Sequence, residues 1–257
     1  MGHTKLGALP KSKKWIEVIN LIDSDTDLSE IALAVLKASE KAFDKIPFDR
    51  GLILTYWLMT QIPLAAKKED FTKALNLIDI HVSKEPGIFE IIASFNESIE
   101  RQLRPNGLVS DISEMALSSA SESLSAIVYE KSNSLFGRTS EDIKNVFASF
   151  AQSREFANLG REFFSRFTEK YLMYFLSKEL SNHISEHKRF NDISSHEVFK
   201  QALSTYCWEI AKIVEGFSGA WYAKYQSEEL SKGWVSGFLK DAVDKLKSEL
   251  SMEDDNA

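Results

Sequence analysis

The sequence predicts an all-α, multi-helix protein, and three observations support this prediction. Apolar residues recur at helical spacing through most of the 257-residue chain, and no alternating strand pattern of useful length occurs. Residues that favour helix starts precede several of these apolar runs. The prolines are confined to the first part of the chain, at Pro10, Pro47, Pro63, Pro86 and Pro105. Because proline interrupts helical hydrogen bonding, we expect short helices with corners first and long helices after them.

The residues at 105–107 predict where the chain divides. Pro105, Asn106 and Gly107 are all types that favour turns. We expect a proline-punctuated N-terminal helical subdomain, residues 1–107, packed on a C-terminal bundle of long helices, residues 108–257, with roughly nine or ten helices in all. The turn is too short for a flexible linker, so a single integrated domain is the alternative.

In the first part, apolar spacing and capping residues predict the individual helices. The apolar positions of the first two helices are Trp15, Val18, Ile19 and Ile22, and then Leu28, Ile31, Val35, Leu36 and Phe43. Asp27 and Glu30 resemble a capping box for the second helix. Asp49 is expected to cap a third helix, in which Leu52–Met59 is apolar on nearly all sides and therefore central. Pro63 is expected to end or kink that helix.

A serine-rich segment, Ser110–Ser134, opens the second part. It could be a flexible segment that is phosphorylated, or a helix whose serines allow a neighbour to approach closely. Its apolar residues keep helical period, which favours the helix. After a predicted loop, Leu135–Ser140, Thr139 and Asp142 are expected to start the next helix.

The densest aromatic run in the sequence predicts the central helix of the bundle. At about 100° per residue, one broad face collects Phe163, Phe164, Phe167, Tyr171, Tyr174 and Phe175. The apolar arc covers well over half of the circumference, so we expect other helices on several sides. Arg161, Glu162, Arg166 and Glu169 form the remaining solvated or interfacial face, and the helix is expected to end near His187.

Three further features describe the C-terminal part. Ser194 is expected to cap a helix with Glu197 at its third position. Gly216 and Gly219 mark either a helix break or a tight helix crossing. The last helix is expected from Val235 to about residue 250, followed by a disordered acidic tail.

Composition argues against several classes of function. The net charge of −7 disfavours nucleic-acid binding, which depends on clustered lysine and arginine. Cys207 is the only cysteine, so an intrachain disulfide and a zinc site of several thiolates are both excluded. There is no secretory signal and no run of about 18 apolar residues, so we expect a cytoplasmic protein without a membrane span.

The predicted corner between the aromatic helix and the next helix holds the candidate metal ligands. Glu179, His183 and His187 are spaced one helical turn apart and could bind a divalent transition metal, with His196 as a ligand from across the turn. The alternative is that the histidines only interact favourably with the end of the helix dipole. No other cofactor is expected.

The same corner could instead be a polar binding pocket. The residues concerned are Glu179, Asn182, His183, Arg189 and His196. They could bind a small anion, or a histidine among them could act as a general acid or base near neutral pH. The alternative is that neighbouring polar residues serve the turn and the helix cap, with Arg189 solvated.

Two tryptophans close to glycines are candidates for a protein interface. Trp221 and Trp234 would be natural anchors if exposed, although they could equally pack in the core. Since no catalytic motif occurs, the sequence favours a non-enzymatic helical interaction or assembly subunit that works with other proteins. The alternative is a metal-dependent or histidine-centred enzyme with its site at the Glu179–His196 corner.

Overall fold

The computed structural model describes residues 13–24, 26–131, 139–180, 183–184, 190, 192–225 and 231–252. Within these ranges the chain forms eleven α-helices and one short 3-10 helix and no strand, and Ile184 and Phe190 form an isolated bridge. The all-α prediction is confirmed, with slightly more helices than expected. The predicted acidic tail after residue 252 and most of the predicted loop at 135–140 lie outside the described residues.

The helices differ in length between the two parts of the chain. The first part contains α1 (Lys13–Asp23), α2 (Leu28–Phe43), the 3-10 helix Ile46–Phe48, α3 (Arg50–Ala66), α4 (Phe71–Leu77) and α5 (Ile88–Leu103). The second part contains α6 (Asp111–Lys131), α7 (Ser140–Ser149), α8 (Ser153–Leu180), α9 (Ile193–Ile210), α10 (Lys212–Tyr225) and α11 (Lys232–Met252). The longest helices therefore follow the last proline, as predicted. Pro63 does not end α3, which continues to Ala66.

Helix caps confirm two predictions and correct two others. Asp49 caps α3 by accepting a hydrogen bond from the Leu52 amide at 2.9 Å. Thr139 and Asp142 form the predicted capping box of α7. At the start of α2, however, the Asp27 side chain makes no capping hydrogen bond, so that predicted capping box is wrong.

The start of α9 corrects the other capping prediction. Asp192, rather than Ser194, is the cap, and its carboxylate accepts from the Ser195 amide at 2.8 Å. The helix begins earlier than predicted because the backbone of Asp192 is extended, which places Ser194 already within the first turn. Hydrogen bonds from Ser195 hold the pKa of Asp192 below its usual value.

Helix α8 is the centre of the second part of the molecule. Its buried aromatic residues are Phe156, Phe163, Phe164, Phe167, Tyr171 and Phe175. Helices α2, α6, α9 and α10 all pack against it, as its wide apolar arc predicted. The prediction that this helix ends near His187 is wrong, because α8 ends at Leu180.

Polar side chains of α8 fix its position against its neighbours. The buried Tyr171 hydroxyl donates to Ser39 of α2, with its oxygen 3.0 Å from Ser39 Oγ and 3.2 Å from the Ser39 carbonyl oxygen. Tyr174 donates to the Asp111 carboxylate at 2.8 Å, which links α8 to the first residue of α6. These hydrogen bonds fix the rotation of α8 about its own axis, which apolar contacts alone would not determine.

Arg161 joins α8 to the α9–α10 junction. Its Nε donates to the Trp208 carbonyl oxygen at 3.1 Å, its guanidinium lies over the Trp208 ring, and its Nη1 is 2.9 Å from a Glu215 carboxylate oxygen. The side chain is only 15% exposed. Of the two alternatives for this face, solvated or interfacial, Arg161 is interfacial, because α9 and α10 cover that side of α8.

Small residues let helices cross closely. A Cβ on Gly51 of α3 would lie 2.2 Å from the Ser113 Cβ of α6, and one on Gly219 of α10 would lie 2.9 Å from the Ser153 carbonyl oxygen of α8. The serine-rich segment is helical where the structure describes it, and Ser113, Ser119 and Ser123 are buried on it. This confirms the helical interpretation of that segment. Of the two alternatives for Gly219, the tight crossing is correct, because α10 passes through it without a break.

One continuous hydrophobic cluster extends from Trp15 in α1 to Leu250 in α11 and includes residues on both sides of position 107. The division of the chain at residue 107 stays a prediction. None of the described helices is long and apolar enough to cross a bilayer.

Two glycines on the same helix should respond oppositely to a methyl group. Gly216→Ala should raise the free energy of unfolding by up to about 1 kcal/mol, since a Cβ there meets nothing within 4 Å and glycine weakens a helix interior. Gly219→Ala should lower it by about 1–3 kcal/mol, because its Cβ would press on backbone rather than a flexible side chain. Urea unfolding of both variants checks this. Equal effects would contradict the tight crossing.

Two buried tyrosines form a second matched pair. Tyr171→Phe should lower the free energy of unfolding by about 0.5–1.5 kcal/mol, because the hydrogen bond to Ser39 is lost. Tyr56→Phe should be neutral or stabilising, because the fully buried Tyr56 hydroxyl has no hydrogen-bond partner among the described residues. Denaturant unfolding of the two variants measures the difference, and a larger loss at Tyr56 would contradict this assignment.

Candidate functional site

The predicted corner after α8 is described only in part. Glu179 lies in the last turn of α8 and is partly exposed, His183 lies beyond the end of the helix, and His196 lies in the first turn of α9. Asn182, His187 and Arg189 lie outside the described residues. Since α8 ends at Leu180, Glu179 and His183 do not belong to one continuous helical row.

His183 is paired with a residue from the opposite end of the chain. Its Nδ1 is 2.7 Å from Oδ1 of Asp23, the last residue of α1, and the histidine is only 5% exposed. In the neutral ring this bond places the proton on Nδ1 and leaves Nε2 as an acceptor. A carboxylate–histidine pair of this kind orients histidines in both metal and acid–base sites. No sequence signal identified Asp23 as the partner, because 160 positions separate the two residues.

His196 packs against an aromatic ring. Its imidazole meets Phe190 edge to face, with ring centroids 5.4 Å apart, and its side chain is 14% exposed. Burial lowers the pKa of His196 and the positive charge of Lys200 lowers it further, while Glu197 at 3.7 Å opposes the shift. The neutral form of the ring is therefore favoured more strongly than in a free histidine.

A metal centre at this corner stays a prediction. Among the described residues, no group of three or more histidine, cysteine, aspartate or glutamate side chains is arranged to hold a metal ion. The predicted ligand set includes His187, which lies outside the described residues. The predicted polar pocket likewise stays a prediction, since two of its five residues are not described.

The two candidate interface tryptophans have different environments. Trp221 is partly buried, with its ring centroid 4.6 Å from that of Phe238 and 6.3 Å from that of Phe156. Trp234, the third residue of α11, is 41% exposed and stacks on Tyr225 with centroids 4.4 Å apart. Of the two, Trp234 is the one that a partner could reach directly.

A groove that the sequence did not reveal lies near the start of α11. It has a volume of about 520 Å³ and is lined by Arg50, Ile53, Leu54, Arg101, Gln102, Leu103, Asn106, Leu108 and Lys232. We call it the basic groove. Three parts of the chain form it: the first turns of α3, the end of α5 with the turn that follows, and the first residue of α11. The turn at residues 105–107, predicted only as a boundary, thus forms part of its wall.

The groove is positively charged although the chain as a whole is acidic. Among the residues that the structure describes, its lining contains three cationic side chains and no carboxylate. Arg101 forms ion pairs with two carboxylates: its Nη2 is 3.3 Å from Asp79 Oδ1 and its Nη1 is 3.6 Å from Glu97 Oε2. Within the described part of the chain, Arg50 and Lys232 have no ion-pair partner, and the Lys232 ammonium instead lies 4.8 Å from the centre of the Trp57 ring. Two cationic groups are therefore available to a negatively charged ligand.

The apolar lining of the groove comes from α3, through Ile53 and Leu54, and from the end of α5 and the turn after it, through Leu103 and Leu108. Arg50, Ile53, Leu54 and Trp57 are spaced i, i+3, i+4 and i+7, so they share one helix face. Ile53 is only partly buried, so apolar surface of α3 remains accessible beside the cations. The sequence could not indicate this site, because Arg50, Arg101 and Lys232 are far apart and belong to no local motif.

A second cleft is lined by both lysines and carboxylates, so its charges largely balance. It has a volume of about 530 Å³ between the starts of α4 and α7, and it is lined by Glu69, Asp70, Phe71, Thr72, Lys84, Ser140, Glu141 and Lys144. Its two lysines face three carboxylates, and the Asp70 carboxylate already accepts from the Lys73 amide at 2.8 Å. This mixture favours neither anions nor cations.

Comparison with models of protein families, with curated protein sequences and with solved structures gives no match for this chain.

The environment of His196 predicts how stability depends on pH. The folded-state pKa of His196 is lowered, so the unfolded chain takes up a proton at this residue more readily than the folded protein. Stability should therefore fall as the pH drops below about 6.5, the ordinary histidine value, towards the folded-state pKa. His196→Gln should lose less stability between pH 7.5 and 5.5 than the wild type. Urea unfolding at both pH values measures this, and identical losses would contradict the burial effect.

Proposed function

We propose that this protein is a non-enzymatic interaction subunit, and that it binds other proteins through the surface around Trp234. The observation that carries the proposal is a large aromatic side chain, 41% exposed, held rigidly by stacking on Tyr225 at the start of a helix. Tryptophan is among the residues that contribute most to protein interfaces. Because stacking already restricts the Trp234 ring, binding costs less side-chain entropy than for a freely rotating residue.

The neighbouring residues support the same surface. Trp234 shares the first turn of α11 with Lys232, whose ammonium lies over the half-buried Trp57 ring. Below Trp234, ring contacts continue from Tyr225 to Trp221 and from Trp221 to Phe238, which connects the exposed ring to the core. An interface built on such a support keeps its shape in the free protein, which favours specific recognition.

The amino-acid composition bears on the type of partner and on the cellular compartment. The net charge of −7 disfavours nucleic acid as the partner. With one buried cysteine and no intrachain disulfide, the chain suits a reducing compartment, so our proposal is that the protein works in the cytoplasm.

Replacing Trp234 should separate the protein from its partners without unfolding it. Trp234→Ala should reduce the proteins that co-purify with the tagged full-length chain from native cells by about tenfold or more, the effect expected of a central interface residue. Phe89→Ala is the matched control, because Phe89 is 83% exposed at the other end of α5 from the basic groove. Quantitative mass spectrometry measures both, and circular dichroism verifies the fold.

Two outcomes would contradict the proposal. One is that the wild-type chain enriches no protein above background. The other is that Trp234→Ala and Phe89→Ala retain the same partners in the same amounts.

A further inference from the structure

We propose that the basic groove binds an acidic segment of the partner protein, in which carboxylate side chains flank an apolar one. This inference rests on the proposed function and deepens it by naming the chemistry of the partner. The groove and the Trp234 surface share Lys232, but the groove also depends on Arg50 and does not include Trp234, so the two proposals can fail separately.

The charge of the groove selects carboxylates. Arg50 and Lys232 stand on opposite structural elements, α3 and α11, and both line the groove without an ion-pair partner among the described residues. A segment with two acidic side chains could pair with both cations. In a protein of net charge −7, such a local positive region also steers acidic ligands to this place, while the rest of the surface repels them.

The apolar surface between Arg50 and Lys232 favours a ligand that has an apolar side chain next to its acidic side chains. Ile53 and Leu108 are partly exposed in the groove, and the more deeply buried Leu54 and Leu103 lie behind them. A leucine-sized side chain placed there would cover apolar surface that now faces solvent, which is favourable by roughly 25 cal/mol for each Å² removed from water. A purely anionic ligand such as phosphate would leave this surface uncovered.

The shape of the groove favours a protein segment. Its volume of about 520 Å³ lies within the usual range for binding clefts, and it is a partly open cleft rather than an enclosed cavity. An open cleft can hold side chains from a continuous segment that enters and leaves. A nucleic acid is a poor match, because three cations in an acidic chain provide few phosphate contacts.

Purified full-length protein and defined probes test this inference without the natural partner. The probe is a short fluorescent peptide of repeated Glu-Glu-Leu units, with fluorescence anisotropy as the measurement. The comparison ligands are a peptide of glutamate alone, a Lys-Lys-Leu peptide and inorganic phosphate. The Glu-Glu-Leu peptide should bind at least tenfold more tightly than each of these, and its affinity should fall as the salt concentration rises.

Charge reversal identifies the site. The double variant Arg50→Glu with Lys232→Glu should weaken binding of the Glu-Glu-Leu peptide by tenfold or more. The matched control, Lys67→Glu with Arg154→Glu, changes the net charge by the same amount at exposed positions that do not line the groove, and it should keep most of the affinity. Circular dichroism and thermal melts verify that both double variants are folded.

Three outcomes would overturn the inference. The first is equal binding of the Glu-Glu-Leu peptide to both double variants. The second is equal binding of phosphate or the glutamate-only peptide to the wild type, which would indicate a simple anion site. The third is that no peptide binds. If Trp234→Ala loses native partners while the Arg50/Lys232 variant keeps them, the proposed function stands and only the groove assignment is wrong.

Discussion

The packing of the aromatic side of α8 is the interaction on which the rest of this structure depends. A helix that is apolar around most of its circumference cannot leave that surface in water, so neighbouring helices must cover it. Helices α2, α6, α9 and α10 do so. The aromatic network extends beyond α8 through Tyr56 of α3 and Phe238 of α11, which both contact Phe164. Because α3 and α11 are brought together by this core, their solvent-facing starts become neighbours, and the basic groove forms between them.

Apolar burial does not by itself decide how the helices are oriented. Directional contacts supply that information: Tyr171 to Ser39, Tyr174 to Asp111, and Arg161 to both Trp208 and Glu215. Glycine and serine at the crossings determine how closely the helices approach, as for Gly51 against Ser113. Apolar packing in the core would thus allow several orientations of the helices, and a few hydrogen bonds and close crossings are compatible with only one of them.

The corner after α8 and the basic groove differ in whether their polar side chains already have partners within the protein. At the corner after α8, the described polar groups are already hydrogen-bonded, as in the contact of His183 with Asp23, or favoured in the neutral form by burial, as for His196. The basic groove has the opposite character, because Arg50 and Lys232 are cationic, exposed and without carboxylate partners in the described chain. A group whose charge is satisfied internally contributes to stability, whereas an available charge beside apolar surface favours recognition of another molecule. This contrast is why the proposed partner surface is at the start of α11.

The sequence by itself determined the helical class, the placement of the three longest helices after Pro105, and the central role of the aromatic helix. These follow from hydrophobic period and from the cost of proline in a helix, which act locally along the chain. It also identified the caps at Asp49 and Thr139, but it misplaced the end of α8 and the cap of α9, because helix ends depend on contacts with other elements. Only the tertiary structure paired Asp23 with His183 and gathered Arg50, Arg101 and Lys232 into one groove. The physical reason is the same in both cases. These residues are more than 50 positions apart in the sequence, so only the packing of the helices that carry them brings the side chains together.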